Sequence, residues 1–250
     1  MLIAILGLGE AGGTLAHDLI AAGVSVRGWD PNPPAIPDGL EFASSNREAV
    51  IGADIILSVN WTSVSLDVAN EVAPVLQPNQ LYADLNTASP QNKRDVAAII
   101  APTGAKFVDT ALMAPVPPKG LGTPVYASGD GAARFSELMS PLGMTITVLE
   151  GEAGVAATHK LVRSIMFKGV AAVVMECVDA AEALGMSDYA RQQMMTILQD
   201  EAMIDRFVSG SKKHAKRRMH EMEAVVELLE SIDVSPFTSR ASVEKLKELL

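Results

Sequence analysis

The stretch AILGLGEAGGTLAHDLIAAGVSVRGWD, residues 4–30, decides the fold. The run LIAIL (2–6) is short, apolar and rich in branched side chains, and reads as a buried strand. It stops at Gly7-Leu8-Gly9-Glu10-Ala11-Gly12, a G-x-G-x-x-G loop. The next residues, EAGGTLAHDLIAAG, read as a helix ending at Gly23. VSVRGWD (24–30) then reads as a second strand. A glycine loop that follows a strand and opens a helix is the context in which this motif carries meaning. Gly7 permits the tight turn, Gly9 lets backbone approach a pyrophosphate, and Gly12 lets helix pack closely on strand. The helix N-terminus presents unpaired N–H groups and a partial positive charge to phosphate.

Asp30 ends the second strand, about twenty residues beyond the glycines. A carboxylate there accepts both hydroxyls of an adenosine ribose and repels a 2′-phosphate. No Arg or Lys follows in PNPPA (31–35) to hold such a phosphate. The expected cofactor is therefore NAD in preference to NADP.

Working outward, the first half keeps alternating. PNPPAIPDG (31–39) is a loop, because proline blocks both ladders and helix interiors. DIILSVN (54–60), LYADLN (81–86), KFVDTAL (106–112), PVYASG (124–129) and MTITVLE (144–150) read as strands, with helices over 63–73 and 90–101. This is the β-α-β pattern of a doubly wound parallel sheet, an α/β Rossmann-type domain over 1–150. From about Ala153 the chain reads as helical throughout. Residues 151–250 are expected to form a smaller all-α substrate and dimerisation domain. Its helices are a long one at 153–184, apolar on more than one face, and three more near 187–208, 212–231 and 239–249.

Composition bounds the function. A formal net charge of −10 argues against a nucleic-acid binder, despite KKHAKRR (212–218). One cysteine rules out an internal disulfide, and Cys177, among Val, Met and Ala, is expected in the core. No window reaches the length of a membrane span and no signal peptide precedes the first strand, so a cytoplasmic protein is expected. His17 and His159 have no ligand-like partners in sequence, and no metal site is expected.

Taken together, the glycine loop with Asp30, DLNTASP (84–90) and GVAATHKLVRS (154–164) resemble the β-hydroxyacid dehydrogenases, the family of 3-hydroxyisobutyrate and 6-phosphogluconate dehydrogenases. KLVRSIMFKG and HAKRRMHEMEAVVELL resemble a phosphogluconate-dehydrogenase-like branch with a short helical C-terminal domain. The resemblance implies a hydride transfer between nicotinamide and a small hydroxy acid. It implies that Lys160, six residues after Gly154, is the proton shuttle. It puts Asn86 in the place of the family's substrate-binding serine, with Thr87 beside it, and Arg163 and Ser164 where an asparagine is expected. The cofactor-binding set becomes Gly7, Leu8, Gly9, Glu10, Ala11, Gly12, Asp30, Val59, Asn60, Asn86 and Thr87.

The chain also departs from the family. Met113, Ala114 and Pro115 stand where a Ser-Gly-Gly turn holds the substrate carboxylate, and Pro115 has no N–H to offer. Arg163 could clamp a carboxylate or phosphate as an asparagine could not. Lys160, Arg163, Ser164 and Phe167 share one helical stripe, with Leu161, Val162 and Ile165 expected to pack. His214, Arg217, Arg218 and Glu221 share another that could bind an anionic substrate, or could simply be solvated. Two further readings stay open: an imine or keto-acid reductase on the same scaffold, and a non-catalytic NAD-binding sensor. A homodimer through helix 153–184 is expected, because the short tail cannot cover its apolar surface.

Overall fold

In β1 (Leu2–Leu6) the side chains alternate between two cores: Ile3 and Ile5 join one, Ala4 and Leu6 the other. Strands buried on both faces read as continuous apolar runs, and this is why LIAIL carries no polar residue. The computed structural model describes residues 1–250 and divides them into units Met1–Lys160 and Leu161–Leu250.

The first unit follows the order β1, α1 (Glu10–Ala21), β2 (Ser25–Trp29), β3 (Glu41–Phe42), α2 (Asn46–Val50), β4 (Ile55–Ser58), α3 (Ser65–Val72) and β5 (Leu81–Asp84). It continues with α4 (Pro90–Ile100), β6 (Lys106–Leu112), the one-turn α5 (Val116–Lys119), β7 (Pro124–Ser128), α6 (Ala132–Met139) and β8 (Thr145–Val148). The strands form one eight-stranded sheet in the order β3-β2-β1-β4-β5-β6-β7-β8. Helices α1 and α6 cover one face through Leu15, Leu19, Phe135 and Met139. Helices α2, α3 and α4 cover the other through Val50, Val72, Val96 and Ile100. The Rossmann-type expectation holds, with one correction: β7 runs antiparallel to β6, so the sheet is mixed. The stretch between Leu112 and Pro124 contains only short turns, and a parallel return needs a full crossover helix.

Helix α7 (Val155–Leu184) begins in the first unit, and the division falls inside it, after Lys160. Its first turn is fastened to the sheet. The N–H groups of Gly154 and Ala157 donate to Asp109 Oδ2 at 2.9 and 3.1 Å, and that of Ala156 to Ser128 Oγ at 3.1 Å. The second unit adds α8 (Ser187–Leu198), α9 (Glu201–Lys213), α10 (Ala215–Ser231) and α11 (Phe237–Lys247).

Four helices therefore follow α7, where the sequence suggested three. The expected helix 187–208 breaks at Gln199, whose φ of 51° is left-handed, and Asp200 caps α9 by accepting from the Met203 N–H. Two further expectations are corrected. Cys177 is exposed, because the buried face of α7 there runs through Ala171, Val174, Met175 and Ala181. Val162 is 56 % exposed and shares an open apolar stripe with Met166 and Val173. No helix is long and apolar enough to cross a membrane.

Candidate functional site

The glycine loop is shaped by what its residues lack. Gly7 has a φ of 101°, and a Cβ there would sit 2.3 Å from the Val59 carbonyl oxygen. A Cβ on Gly12 would lie 1.9 Å from the Gly7 oxygen, so the helix can reach the strand only without a side chain. At Gly9 a Cβ would meet nothing within 4 Å. Gly9 is also the N-cap of α1 and adds no capping side chain. The loop thus combines two glycines demanded by packing with one that faces open space at an uncapped helix start. Leu8 buries its side chain in the core and offers only backbone, while Glu10 is exposed and Ala11 half-buried.

Asp30 closes this loop. Its Oδ2 accepts the Leu8 N–H at 2.8 Å and its Oδ1 the Asn32 N–H at 2.8 Å. One lone pair on each oxygen is left over from these two bonds. The turn-forming bonds of Asp30 therefore leave acceptor capacity on both oxygens. At the end of β4, Val59 lies against Gly7, and Asn60 Oδ1 is a buried acceptor with no protein donor. The open Gly9, the uncapped helix and this acceptor are features a bound dinucleotide can use. The residues present fit one, with Gly7–Gly12 at the pyrophosphate and Asp30 at the adenosine ribose.

Beyond β5 the chain turns through Leu85, Asn86 and Thr87. Asn86 is buried, and its side chain is engaged: Oδ1 accepts the Asn60 N–H at 2.7 Å and Nδ2 donates to Ser58 Oγ at 3.2 Å. Ser89 starts α4 as an N-cap before Pro90, accepting from the Asn92 N–H. Lys160 reaches this turn and donates from Nζ to Thr87 Oγ1 at 2.6 Å. Two sequence-distant candidates, Thr87 and Lys160, thus meet. Met113 does not present its N–H, which donates to the Pro124 carbonyl at 2.8 Å; Ala114 is half-buried and Pro115 exposed.

Beneath the turn lies a set of charges that sequence reasoning missed. Lys93 of α4 is 1 % exposed and stands 3.2 Å from Asp84 and 3.5 Å from Asp109. It also donates to the Asp84 carbonyl at 2.7 Å. Burial holds the Asp84 carboxyl above the ordinary carboxylate range, against the pull of Lys93. The signal existed: Lys93 shares the buried face of α4 with Pro90, Val96 and Ile100, an odd place for an ammonium.

In the second unit, Ser164 and Lys168 of α7 both bond Glu221 of α10, and Lys168 also donates to Ser164 Oγ at 3.1 Å. Arg218 is buried and donates to Ser211 Oγ at 2.6 Å. The Phe167 ring carries the Lys168, Arg206 and Arg218 cations at 5.8, 5.2 and 5.6 Å. Burial, then the neighbouring Arg217, pushes Arg218 down to about 10. Burial likewise lowers Lys168, although Glu221 pulls the other way. Of the predicted second stripe, Arg218 and Glu221 belong to this cluster, Arg217 is exposed, and His214 is half-buried where α9 meets α10; Arg163, of the first stripe, is exposed. Lys168 went unnoticed, one helical turn beyond Ser164. No three His, Cys, Asp or Glu side chains gather as a metal site.

Comparison with known proteins agrees with this layout. Residues 2–116 match the NAD binding domain of 6-phosphogluconate dehydrogenase, and residues 181–249 match a domain of unknown function. A conserved protein whose solved structure is described as similar to 3-hydroxyacid dehydrogenases superposes with a TM-score of 0.78 at 28 % identity. That match covers 100 % of this chain and 96 % of the other. A probable 3-hydroxyisobutyrate dehydrogenase of Mycobacterium tuberculosis is 28 % identical over 74 % of this chain, which spans 65 % of that relative's length. An NADPH-dependent reductive aminase of Aspergillus oryzae is 27 % identical over 64 % of this chain and 56 % of its own. Over its nucleotide-binding half the chain is similar to NAD(P)-dependent 3-hydroxyacid dehydrogenases and to related reductive aminases.

Proposed function

We propose that this protein is an NAD-dependent dehydrogenase that oxidises or reduces a small anionic hydroxy acid, with Lys160 as its proton shuttle. The observation that carries the reading is the 2.6 Å bond from Lys160 Nζ to Thr87 Oγ1. It puts an amine at the turn after β5, the C-terminal edge of the sheet, where ligands of such folds bind. When bound, the nicotinamide supplies or takes up the hydride at the carbon that bears the hydroxyl. Lys160, as the neutral amine, accepts the hydroxyl proton while that carbon loses its hydride; as the ammonium it returns the proton in reduction. Thr87 Oγ1 accepts one N–H and fixes the direction of the amine. Asn86 braces the turn through Asn60 and Ser58.

The preference for NAD rests on Asp30, whose carboxylate repels a 2′-phosphate, and on the absence of a cation in residues 31–35. The anionic character of the substrate rests on the surplus of cations in the second unit, where Lys168 bonds Glu221 and the guanidinium groups of Arg217 and Arg218 stand close enough to depress that lysine. The open stripe of Val162, Met166 and Val173 supports a homodimer through α7.

One test separates the readings. Cofactor reduction is followed with a panel of hydroxy acids, for wild type and Lys160→Ala. Loss of about 10²–10⁴ in kcat with cofactor affinity unchanged is expected for a lost general base. Full kcat in the variant would sink the proton-shuttle role. Turnover of imines but not of hydroxy acids would favour the reductive reading that the aminase relative suggests. Cofactor binding without turnover of any substrate would favour a sensor.

A further inference from the structure

Asp84, Lys93 and Asp109 are fully buried in the first unit and take no part in the proton transfer just described. They come from three elements, β5, α4 and β6, and each charge also grips backbone. Asp109 Oδ2 collects the N–H groups of Gly154 and Ala157 and the hydroxyl of Ser128 at 2.9, 3.1 and 3.3 Å. It therefore caps α7 from another strand, with a carboxylate at the positive end of a helix. Asp84 Oδ1 accepts the Asn86 N–H at 2.8 Å, and Lys93 donates to the Asp84 carbonyl. One side of the network holds the turn that carries Thr87. The other holds the helix that carries Lys160. Lys93 joins the two.

We propose that Asp109, tied through Lys93 to Asp84, is a positioning residue that sets the seat of α7 and thereby holds the Lys160 amine against Thr87. The functional importance of that seat rests on the proton-shuttle reading above. The network is asymmetric. Asp109 concentrates three donors on one oxygen. Asp84 Oδ2 has no donor. An amide at 84 keeps the acceptor that Asn86 needs. An amide at 109 either turns its Nδ2 toward two N–H groups or gives up the charge that draws them.

The test compares Asp109→Asn, Ser128→Ala and Asp84→Asn in the full chain. Two readouts need no turnover: hydrogen exchange of the peptide spanning residues 154–160, and the pH dependence of acylation of the Lys160 amine, read by mass spectrometry. Asp109→Asn is expected to speed exchange there by about tenfold or more. It is expected to change the labelling pH profile of Lys160. It is also expected to lower kcat by about 10²-fold with the KM for cofactor nearly unchanged, as a small misplacement does. Ser128→Ala should act in the same direction and less, and Asp84→Asn should leave exchange within about twofold of wild type. The proposal is overturned if Asp109→Asn folds and leaves exchange and labelling as they were, or if Asp84→Asn does equal damage. If Asp109→Asn does not fold, unchanged exchange and labelling in Ser128→Ala overturn it. If exchange and labelling move as expected while Lys160→Ala keeps full kcat, the positioning stands and the proton-shuttle reading is what fails.

Discussion

The protein contains two lysine–carboxylate clusters, built in opposite proportions. Around Lys93 two carboxylates share one ammonium, and backbone N–H groups from Asn86, Gly154 and Ala157 bond one oxygen of each acid. Around Glu221 one carboxylate serves Lys168 and Ser164, with the guanidinium groups of Arg217 and Arg218 close enough to depress the lysine. The first cluster spends its charge inward, on holding polypeptide in place. The second keeps a surplus of positive charge, which a rigid core has no use for and an anionic ligand can satisfy. Charge balance, more than the presence of an ion pair, tells the two apart.

Breaking the first cluster should have the largest effect. Lys93→Met leaves two buried carboxyl groups without their cation and should cost about 3–5 kcal/mol, read from denaturant unfolding. A loss below about 1 kcal/mol would mean that the acids are solvated or neutral and that the cluster does not organise the unit.

Breaking the second should cost less, because its lysine can shed a proton. Glu221→Gln is expected to cost about 2 kcal/mol at neutral pH. Lys168 titrates in the folded state below its ordinary 10.5. Between those values the folded chain binds fewer protons than the unfolded one, so stability rises with pH across that window. The Glu221→Gln penalty should therefore shrink toward pH 10.5. Inorganic phosphate should also raise the Tm of wild type more than chloride at equal ionic strength. Equal effects of the two salts would remove the argument for an anion there.

A pH titration sharpens the comparison from the other side. Asp84 titrates above its ordinary 3.8, so the folded chain binds the extra proton and stability falls as pH rises through that window. Asp84→Asn should flatten this slope, the opposite sign to the lysine effect, in urea unfolding at successive pH values.

The smallest change in stability is expected outside both clusters. Gly9→Ala meets no atom within 4 Å and should leave stability within about 0.5 kcal/mol, while weakening cofactor binding. Calorimetry with NAD checks this, and an unchanged affinity would mean that the pyrophosphate does not lie on Gly9.

Much of the first unit was legible because its signals are local. A continuous apolar run means a strand buried on both faces, and a glycine loop between strand and helix means a backbone that must turn and pack closely. That Lys160 stands beside the turn after β5 had one sign in the sequence, its register with Gly154. The reversal of β7 was not, since strand direction depends on what connects two strands and apolar periodicity is the same either way. Gln199 hid the break between α8 and α9, because a glutamine gives no sign of a left-handed turn. Cys177 and Val162 were misplaced because α7, apolar on several faces, does not reveal by composition which face is covered.

The sequence by itself determined the order of the longer strands and of helices α1, α3 and α4 in the first unit, the glycine loop and the acid that follows it, since each depends on neighbours a few residues apart; the short β3 and the helices α2, α5 and α6 were not among them. Only the tertiary structure decided which distant residues share a charge. Asp84 and Asp109 are unremarkable along the chain, and nothing in the spacing of Ser164, Lys168 and Glu221 says that the three meet. Buried charges must find partners wherever the fold delivers them, and the fold delivers them from strands and helices far apart in sequence.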